Sequence, residues 1–395
     1  MKKIAFFLSY AYSIQEGVNN GTIGRLEKEL QFLSKIFFVD VYSKDSNKFL
    51  KQFIGKSTFE NIKFYGIPFS FISIQNSNRV NNTIRRIFSI LMFIQYYFLS
   101  FTVKNKLDKA DACFVYHVSG GMRAVLYKKI FKTRMKVIVR YNWNWGDFIK
   151  ASRNSLEYRF FCFLEKFILS NSDIIMATTE LLQKQAEDIV NGKKQVIIIP
   201  NWIDCNEFKP LDSKKEFDII SIGRLCPQKN HMLLLKAVNL YNKEKNRHLK
   251  ILIISKGELR DALIEYAKQY NIELTIIDKV TNTLISEYLN RAGIFVMSSR
   301  YEGHPKVLLE AMACALPVIG TDVVGIRDVI CDYKNGILSR EEAVDLKNKI
   351  DSIRDNPTLA KKLGLNARRY IEENCDFERI MDKVKNQLIF KNEII

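Results

Sequence analysis

Two short segments of the chain hold residue types whose spacing suits transfer chemistry at a diphosphate. In SIGRLCPQKN, beginning at Ser221, Gly223 closes an apolar β-branched run, and Arg224 and Lys229 follow it. A glycine at a strand end lets a ligand approach the backbone, and two cations there can compensate the charge of a departing diphosphate. In SSRYEGHPKVLLEAMACALPVI, beginning at Ser298, Glu302 and Glu310 are separated by seven residues, and Pro305 stands where a helix would begin. The first turn of such a helix offers the amides of Lys306 and Val307, which with the positive end of the helix dipole suit a phosphate. Glu310 lies one turn further in, among apolar neighbours, so its charge needs a partner. A carboxylate there can accept two hydrogen bonds from a vicinal diol such as that of a ribose.

The elements that must position these residues are legible from periodicity. KIAFFLSY, FFVDVYS, DACFVYHV, MKVIVRYN, DIIMATT and QVIIIP read as strands in the first half, with amphipathic helical stretches such as GRLEKELQFLSKI between them. EFDIISIG, LKILIIS, ELTIID, GIFVMSS and PVIGTD repeat the alternation in the second half. Strands alternating with helices imply a parallel sheet covered on both faces, and 395 residues exceed what one core takes up. Periodicity is lost in NEFKPLDSKK, near residues 206–215. The expected organisation is therefore a Rossmann-like domain over 1–208, a second over 209–375, and a C-terminal helix over 376–395 that could cross back to the first. Two doubly wound domains of this kind, facing one another, place a ligand cleft at the carboxyl ends of their strands.

Composition excludes other classes. With 47% hydrophobic residues, 12% aromatic, 17 Gly and 7 Pro, the chain is neither disordered nor of low complexity. Its 7 cysteines are scattered without a C-x-x-C pair, against a disulfide framework or zinc ribbon and in favour of a reducing compartment. The start, MKKIAFFLSYAYS, reads as a first strand, because tyrosines interrupt the apolar run and no A-x-A site follows. Net charge is +18, of which residues 1–210 carry +14, and residues 61–140 alone +12. Such a field suits a polyanion. Without a helix-turn-helix, RNP or zinc motif, nucleic acid is not expected, and an anionic membrane surface or an acidic saccharide is. Ile87–Val103, an all-round apolar run flanked by Arg85, Arg86, Lys104 and Lys106, would make a helix of about 25 Å, short of a membrane span. It is either a helix buried against the sheet or one set in the membrane interface.

These segments resemble those of the family 4 glycosyltransferases, retaining enzymes of the GT-B fold, whose hallmark is two glutamates separated by seven residues. GTIGR from Gly21 resembles the Gly-rich amino-terminal loop, VIIIPNWID the pattern before the interdomain linker, SIGRL with Lys229 the diphosphate-binding pair, and TDVVGIRDVI the loop after the second glutamate. The resemblance implies roles residue by residue. Arg224 and Lys229 would neutralise the departing UDP or GDP, Glu310 would hold the ribose, Glu302 would contact the transferred sugar, and Gly21 would bring amides to the phosphates. It implies no metal ion, in keeping with the lack of a D-x-D motif, and no cofactor beyond the nucleotide sugar. The acceptor would be a saccharide or lipid, lipid-linked at the inner face of a membrane, with the protein cytoplasmic and peripheral there. Intact Arg224, Lys229, Glu302 and Glu310 favour an enzyme over a catalytically idle nucleotide-sugar-binding or polyanion-binding accessory protein.

The chain also departs from the pattern. Thr22, Ala315, Val324 and Trp202 stand where relatives carry glycine, and Asp328 replaces a glutamate. Asn142 occupies the strand end where many relatives place a histidine near the sugar. His117 at the end of DACFVYH is either structural or part of an acceptor site, and Trp143 and Trp145, beside Asp147, either stack on a sugar or pack in the core.

Overall fold

The computed structural model describes residues 1–8, 24–43, 50, 60–66, 107–116, 118–142, 144, 156–278 and 280–389. The chain divides into two compact units, Met1–Ile199 with Val384–Ile395, and Pro200–Lys383. Sequence periodicity had put the division at 208/209, where polar residues interrupt the pattern. The segment from Pro200 instead packs within the second unit, where Ile203 forms a parallel bridge with Asp376 and Trp202 meets Phe377 edge-on at 4.6 Å.

In the first unit the strands β1 (Lys3–Phe7), β2 (Phe38–Ser43), β3 (Ile62–Gly66), β4 (Ala112–Val115), β5 (Lys136–Tyr141), β6 (Ile174–Ala177) and β7 (Gln195–Ile198) form a parallel sheet in the order β3-β2-β1-β4-β5-β6-β7. Helices α1 (Gly24–Ser34), α2 (Gly121–Phe131), α3 (Leu156–Ser170) and α4 (Glu180–Val190) lie between strands in the chain. Thr179 caps α4 by accepting from the Leu182 amide.

The second unit repeats the plan with β8 (Phe217–Ile222), α5 (His231–Lys245), β9 (Lys250–Ile254), α6 (Arg260–Gln269), β10 (Glu273–Ile277), α7 (Asn282–Asn290), β11 (Ala292–Met297), α8 (Lys306–Ala313), β12 (Val318–Thr321), α9 (Val324–Arg327), β13 (Ile337–Ser339), α10 (Ala343–Arg354), α11 (Pro357–Asn374) and α12 (Phe377–Leu388). Its sheet runs β10-β9-β8-β11-β12-β13, all parallel. The strands are apolar on both faces because both are covered. Ile219, Ile251, Ile253 and Val296 pack with Leu234 and Val238 of α5, whereas Ile220, Leu252 and Phe295 pack with Leu308 and Met312 of α8.

Each sheet reverses its strand order once, between β1 and β4 and between β8 and β11. At such a reversal the connections leave in opposite directions and open a crevice at the carboxyl ends of the strands. In the second unit that crevice lies between the loops carrying Gly223–Lys229 and Glu302. The path is held from behind by Arg368, whose guanidinium donates to the carbonyls of Phe208 (2.5 Å), Cys205 (3.0 Å) and Ala313 (2.8 Å), tying residues 205–208 to the end of α8.

Candidate active site

The loop after β8 turns on Gly223, whose φ of 156° is rarely adopted by residues with a side chain. A Cβ there would also meet the Lys229 side chain at 3.3 Å. His231, the first residue of α5, is 3% exposed. Its Nε2 lies 2.9 Å from the Gly223 carbonyl and its Nδ1 3.3 Å from the Ser221 hydroxyl. Burial pushes the imidazole down to about 4, with Lys229 adding to the shift and the carbonyls of Gly223 and Arg224 opposing it. A neutral ring has one N–H. A carbonyl can only accept, so Nε2 carries the proton and Nδ1 accepts from Ser221.

Five interactions join this loop to the one after β11. Lys229 Nζ pairs with Glu302 Oε1 at 2.5 Å, with only 19% and 8% of the two side chains exposed. The Arg300 amide donates to Gln228 O at 2.8 Å, and Gln228 returns a bond from its side-chain amide to Tyr301 O at 3.1 Å. Ser298 donates to the carbonyls of Lys229 and Asn230, and Glu341 accepts from both Asn230 and Arg300. Arg224 is exposed at the mouth of the loop. The turn at Gly223 carries it out of the sheet. Among the described residues its amide and guanidinium have no hydrogen-bond or ion-pair partner.

The second loop is held by backbone crowding. A Cβ on Gly325, in α9, would sit 2.0 Å from Gly303 O and 2.4 Å from Glu302 O, so only glycine fits under this loop. Asn201 donates from its side chain to His304 O at 2.8 Å and from its backbone to His304 Nδ1 at 3.3 Å. Helix α8 then starts after Pro305, and its first backbone bonds run from Leu308 and Leu309 to Pro305 O. The amides of Lys306 and Val307 therefore precede the helical ladder, as an anion site requires. Glu310 is 8% exposed on the same helix, beside Leu308, Leu309 and Ala311. Its field, after burial itself, helps raise the Cys314 thiol to about 12.

Of the candidates from sequence, Gly223, Arg224, Lys229, Glu302, Lys306, Val307 and Glu310 thus occupy the ends of two adjacent strands and the helix that follows one of them. Asn142 sits just past β5, half-buried, and among the described residues its Oδ1 has no hydrogen-bond partner. Nearby in sequence, Arg140 pairs with Glu29 at 3.4 Å, both buried, and lies 5.7 Å over the Tyr116 ring. Gly21, His117, Thr22, Trp143, Trp145, Asp147 and the run 87–103 with its flanking cations lie outside the described residues. Sequence reasoning missed His231, Ser298 and Gly325, whose roles depend on contacts between loops. Among the described residues no group of three or more His, Cys, Asp or Glu side chains could hold a metal ion, and no helix is long and apolar enough to cross a membrane.

Ala315, where relatives carry glycine, adopts φ 55° after α8, so the backbone keeps the left-handed turn that a glycine would form without strain. Trp202 has instead been absorbed into the core against Phe377.

Two parallel α/β units, each wound with one reversal of strand order and with this site at the reversal of the second, define the GT-B fold of glycosyltransferases. The family model for glycosyl transferases group 1 matches residues 204–370, the segment that holds Gly223, Arg224, Lys229, Glu302 and Glu310. The chain is 29% identical over 226 residues to poly(ribitol-phosphate) alpha-N-acetylglucosaminyltransferase of Staphylococcus aureus, covering 56% of this chain and 45% of that one. It is 29% identical over 197 residues to a Campylobacter jejuni protein named as an alpha-N-acetylgalactosaminyltransferase acting on a diphospho-undecaprenol-linked saccharide, covering 48% and 52%. The matches span about half the length of these curated relatives. Among solved structures, Anabaena HepE in complex with UDP superposes with a TM-score of 0.71 at 14% identity, over 98% of this chain and 99% of that one.

Proposed function

We propose that the chain is a retaining glycosyltransferase of family 4. It moves a hexose or related sugar from a UDP- or GDP-linked donor to a saccharide or lipid acceptor, lipid-linked, in the synthesis of a cell-surface polysaccharide or glycolipid. The observation that carries this reading is the Lys229–Glu302 pair joining the ends of β8 and β11, with Arg224 exposed on the same loop as Lys229 and the α8 terminus with its buried Glu310 following Glu302.

As the bond between the anomeric carbon and the diphosphate breaks, negative charge grows on the leaving oxygen, and Arg224 with Lys229 compensates it. No metal ion is invoked for that task. Preorganised charge of this kind contributes about 3 to 4 kcal/mol at the transition state. Lys229 keeps further N–H donors for a phosphate while one is directed at Glu302, and the second oxygen of Glu302 remains to contact the sugar. Glu310 takes the ribose diol, and the amides of Lys306 and Val307 take the diphosphate. Attack comes from the face the leaving group vacates, through an oxocarbenium-like state, which retains configuration without a protein nucleophile. Asn142 and His117 are the residues proposed to contact the acceptor or sugar, and Gly21 the one proposed to bring amides to the phosphates. HepE holds UDP, and the two relatives' names give an acetamido-sugar transfer to phosphate-bearing acceptors, in keeping with this assignment.

The first unit is proposed to dock peripherally on the anionic inner face of a membrane, where such acceptors reside. Beyond the basic stretch 61–140, helix α3 supports this reading: Phe163 is 61% exposed and stacks on Phe167, Lys129 lies over that ring at 5.2 Å, and Arg159 and Lys166 are exposed on the same helix.

The test is to incubate the purified protein with UDP- and GDP-linked sugars and phospholipid-linked saccharides, then assign the product anomer by NMR. A product with the donor's anomeric configuration is expected. An inverted product would end the family 4 reading, and nucleotide-sugar binding without turnover on any acceptor would favour the idle accessory protein. Sedimentation with anionic vesicles, compared for the parent and Phe163→Ser, tests docking, and failure of the parent to sediment at low salt would remove it.

A further inference from the structure

We propose that His231 is a positioning residue for the donor phosphates. By holding the Gly223 carbonyl inward, it turns the Arg224 amide, and the side chain that follows it, toward the bound diphosphate. This rests on the reading above that the loop after β8 faces a nucleoside diphosphate.

The argument begins with the peptide unit between Gly223 and Arg224. A trans peptide is planar, with its C=O and N–H pointing in opposite directions. Gly223 O accepts from His231 Nε2 at 2.9 Å in the interior, so the Arg224 N–H points away from His231 and out of the core. Among the described residues that amide donates to nothing, and the guanidinium beside it is likewise without a partner. A backbone donor and a cation from the same residue therefore lead away from the loop together. That is a pairing suited to phosphate, whose oxygens take charge-assisted bonds from both kinds of group.

His231 is placed to do this by its position at the start of α5, because side chains in a first turn lean back toward the helix N-terminus, here over the loop that precedes it. The Ser221 hydroxyl, 2% exposed and donating to Nδ1, leaves Nε2 as the ring nitrogen that carries the proton. Glycine takes the φ of Gly223 without strain, so the backbone alone does not fix the direction of this peptide, and the imidazole is the side chain bonded to its carbonyl. Depression of the ring to about 4 keeps this donor pattern through the range in which a cytoplasmic enzyme works.

Three substitutions separate positioning from plain packing. Glutamine can place its side-chain nitrogen where Nε2 stands, asparagine reaches only as far as Nδ1, and methionine fills the space with no N–H. UDP and GDP binding is measured by calorimetry for the parent, His231→Gln, His231→Asn, His231→Met and Ser221→Ala, each well below its own melting temperature. Asparagine and methionine should weaken nucleotide binding on the order of tenfold, the scale of one lost hydrogen bond, while glutamine stays within about threefold of the parent. Ser221→Ala, which frees the tautomer but keeps the ring, should weaken binding about threefold and tests the idea even if methionine fails to fold. Unchanged affinity in folded His231→Asn would overturn the proposal, as would a glutamine variant no better than methionine. If the parent binds neither UDP nor GDP, the donor reading itself fails and takes this inference with it.

Discussion

The two loops that build the site are fixed by different means. The loop after β8 depends on side chains, a buried neutral His231 below it and the Lys229–Glu302 pair beside it. The loop after β11 depends on backbone contact, with Gly325 wedged beneath Glu302 and Gly303 and the Asn201 amide on His304. The first is therefore sensitive to protonation, and the second to volume. A site that must grip a changing charge gains from having one wall whose donors are set by electrostatics and another whose position is set by close packing.

The largest effect should come from the cations themselves. Arg224→Ala or Lys229→Ala is expected to lower kcat by roughly 100- to 1,000-fold, because each removes charge that acts chiefly as the leaving group departs. Melting temperature should change little for the exposed Arg224 and fall for Lys229, whose removal leaves the Glu302 side chain, 8% exposed, unpaired. Steady-state kinetics beside calorimetric melting checks this, and a stability loss in Arg224→Ala matching its activity loss would mean that this residue holds the loop and does no chemistry.

Volume on the other side comes next. Gly325→Ala places a Cβ against two carbonyl oxygens that cannot yield without moving the loop, so it should cost about 3 kcal/mol of stability and weaken donor binding too. A folded Gly325→Ala protein with parental donor affinity would show that the second loop tolerates displacement and would erase the contrast.

Protonation distinguishes the loops directly. His231 titrates near 6.5 when unfolded and about 4 when folded, so between those values the unfolded chain binds the extra proton and stability falls as pH falls. Above pH 6.5 the contribution is fully present, and it is lost progressively down to about pH 4, on the order of 3 kcal/mol in all. Denaturant melts of the parent and His231→Gln across that range should diverge by this amount, and parallel curves would assign the acid sensitivity elsewhere.

The smallest effect concerns the end of α8, which carries the second loop's helix. Ala315 holds φ 55°, where a side chain is strained, so Ala315→Gly should stabilise the protein by about 0.5 to 1 kcal/mol. Destabilisation by glycine would show that the Ala315 methyl contributes packing that exceeds its strain.

The alternation of strands and helices was legible because both faces of each sheet are covered, which makes the strands short apolar runs that stand out from amphipathic helices. Pro305 marked the start of α8, and the glutamate spacing marked which helix to inspect. The unit boundary was less legible, since Trp202 and Ile203 precede the polar stretch at 206–215 yet pack against Phe377 and pair with Asp376, partners more than 170 residues away. Polarity marks where a chain is exposed, and division into units follows contacts.

By itself the sequence determined which residues could serve at the site. Gly223 was required by a turn that few other residues can make, and Lys306 and Val307 were placed at a helix start by the proline before them. What the tertiary structure alone decided was their company. Lys229 and Glu302 are 73 positions apart and meet because β8 and β11 lie side by side at the reversal of strand order. His231 looked like any residue opening a helix until burial removed its charge and left a single proton to point at Gly223. Strand adjacency and desolvation arise from the whole packed unit, and neither is encoded in local spacing.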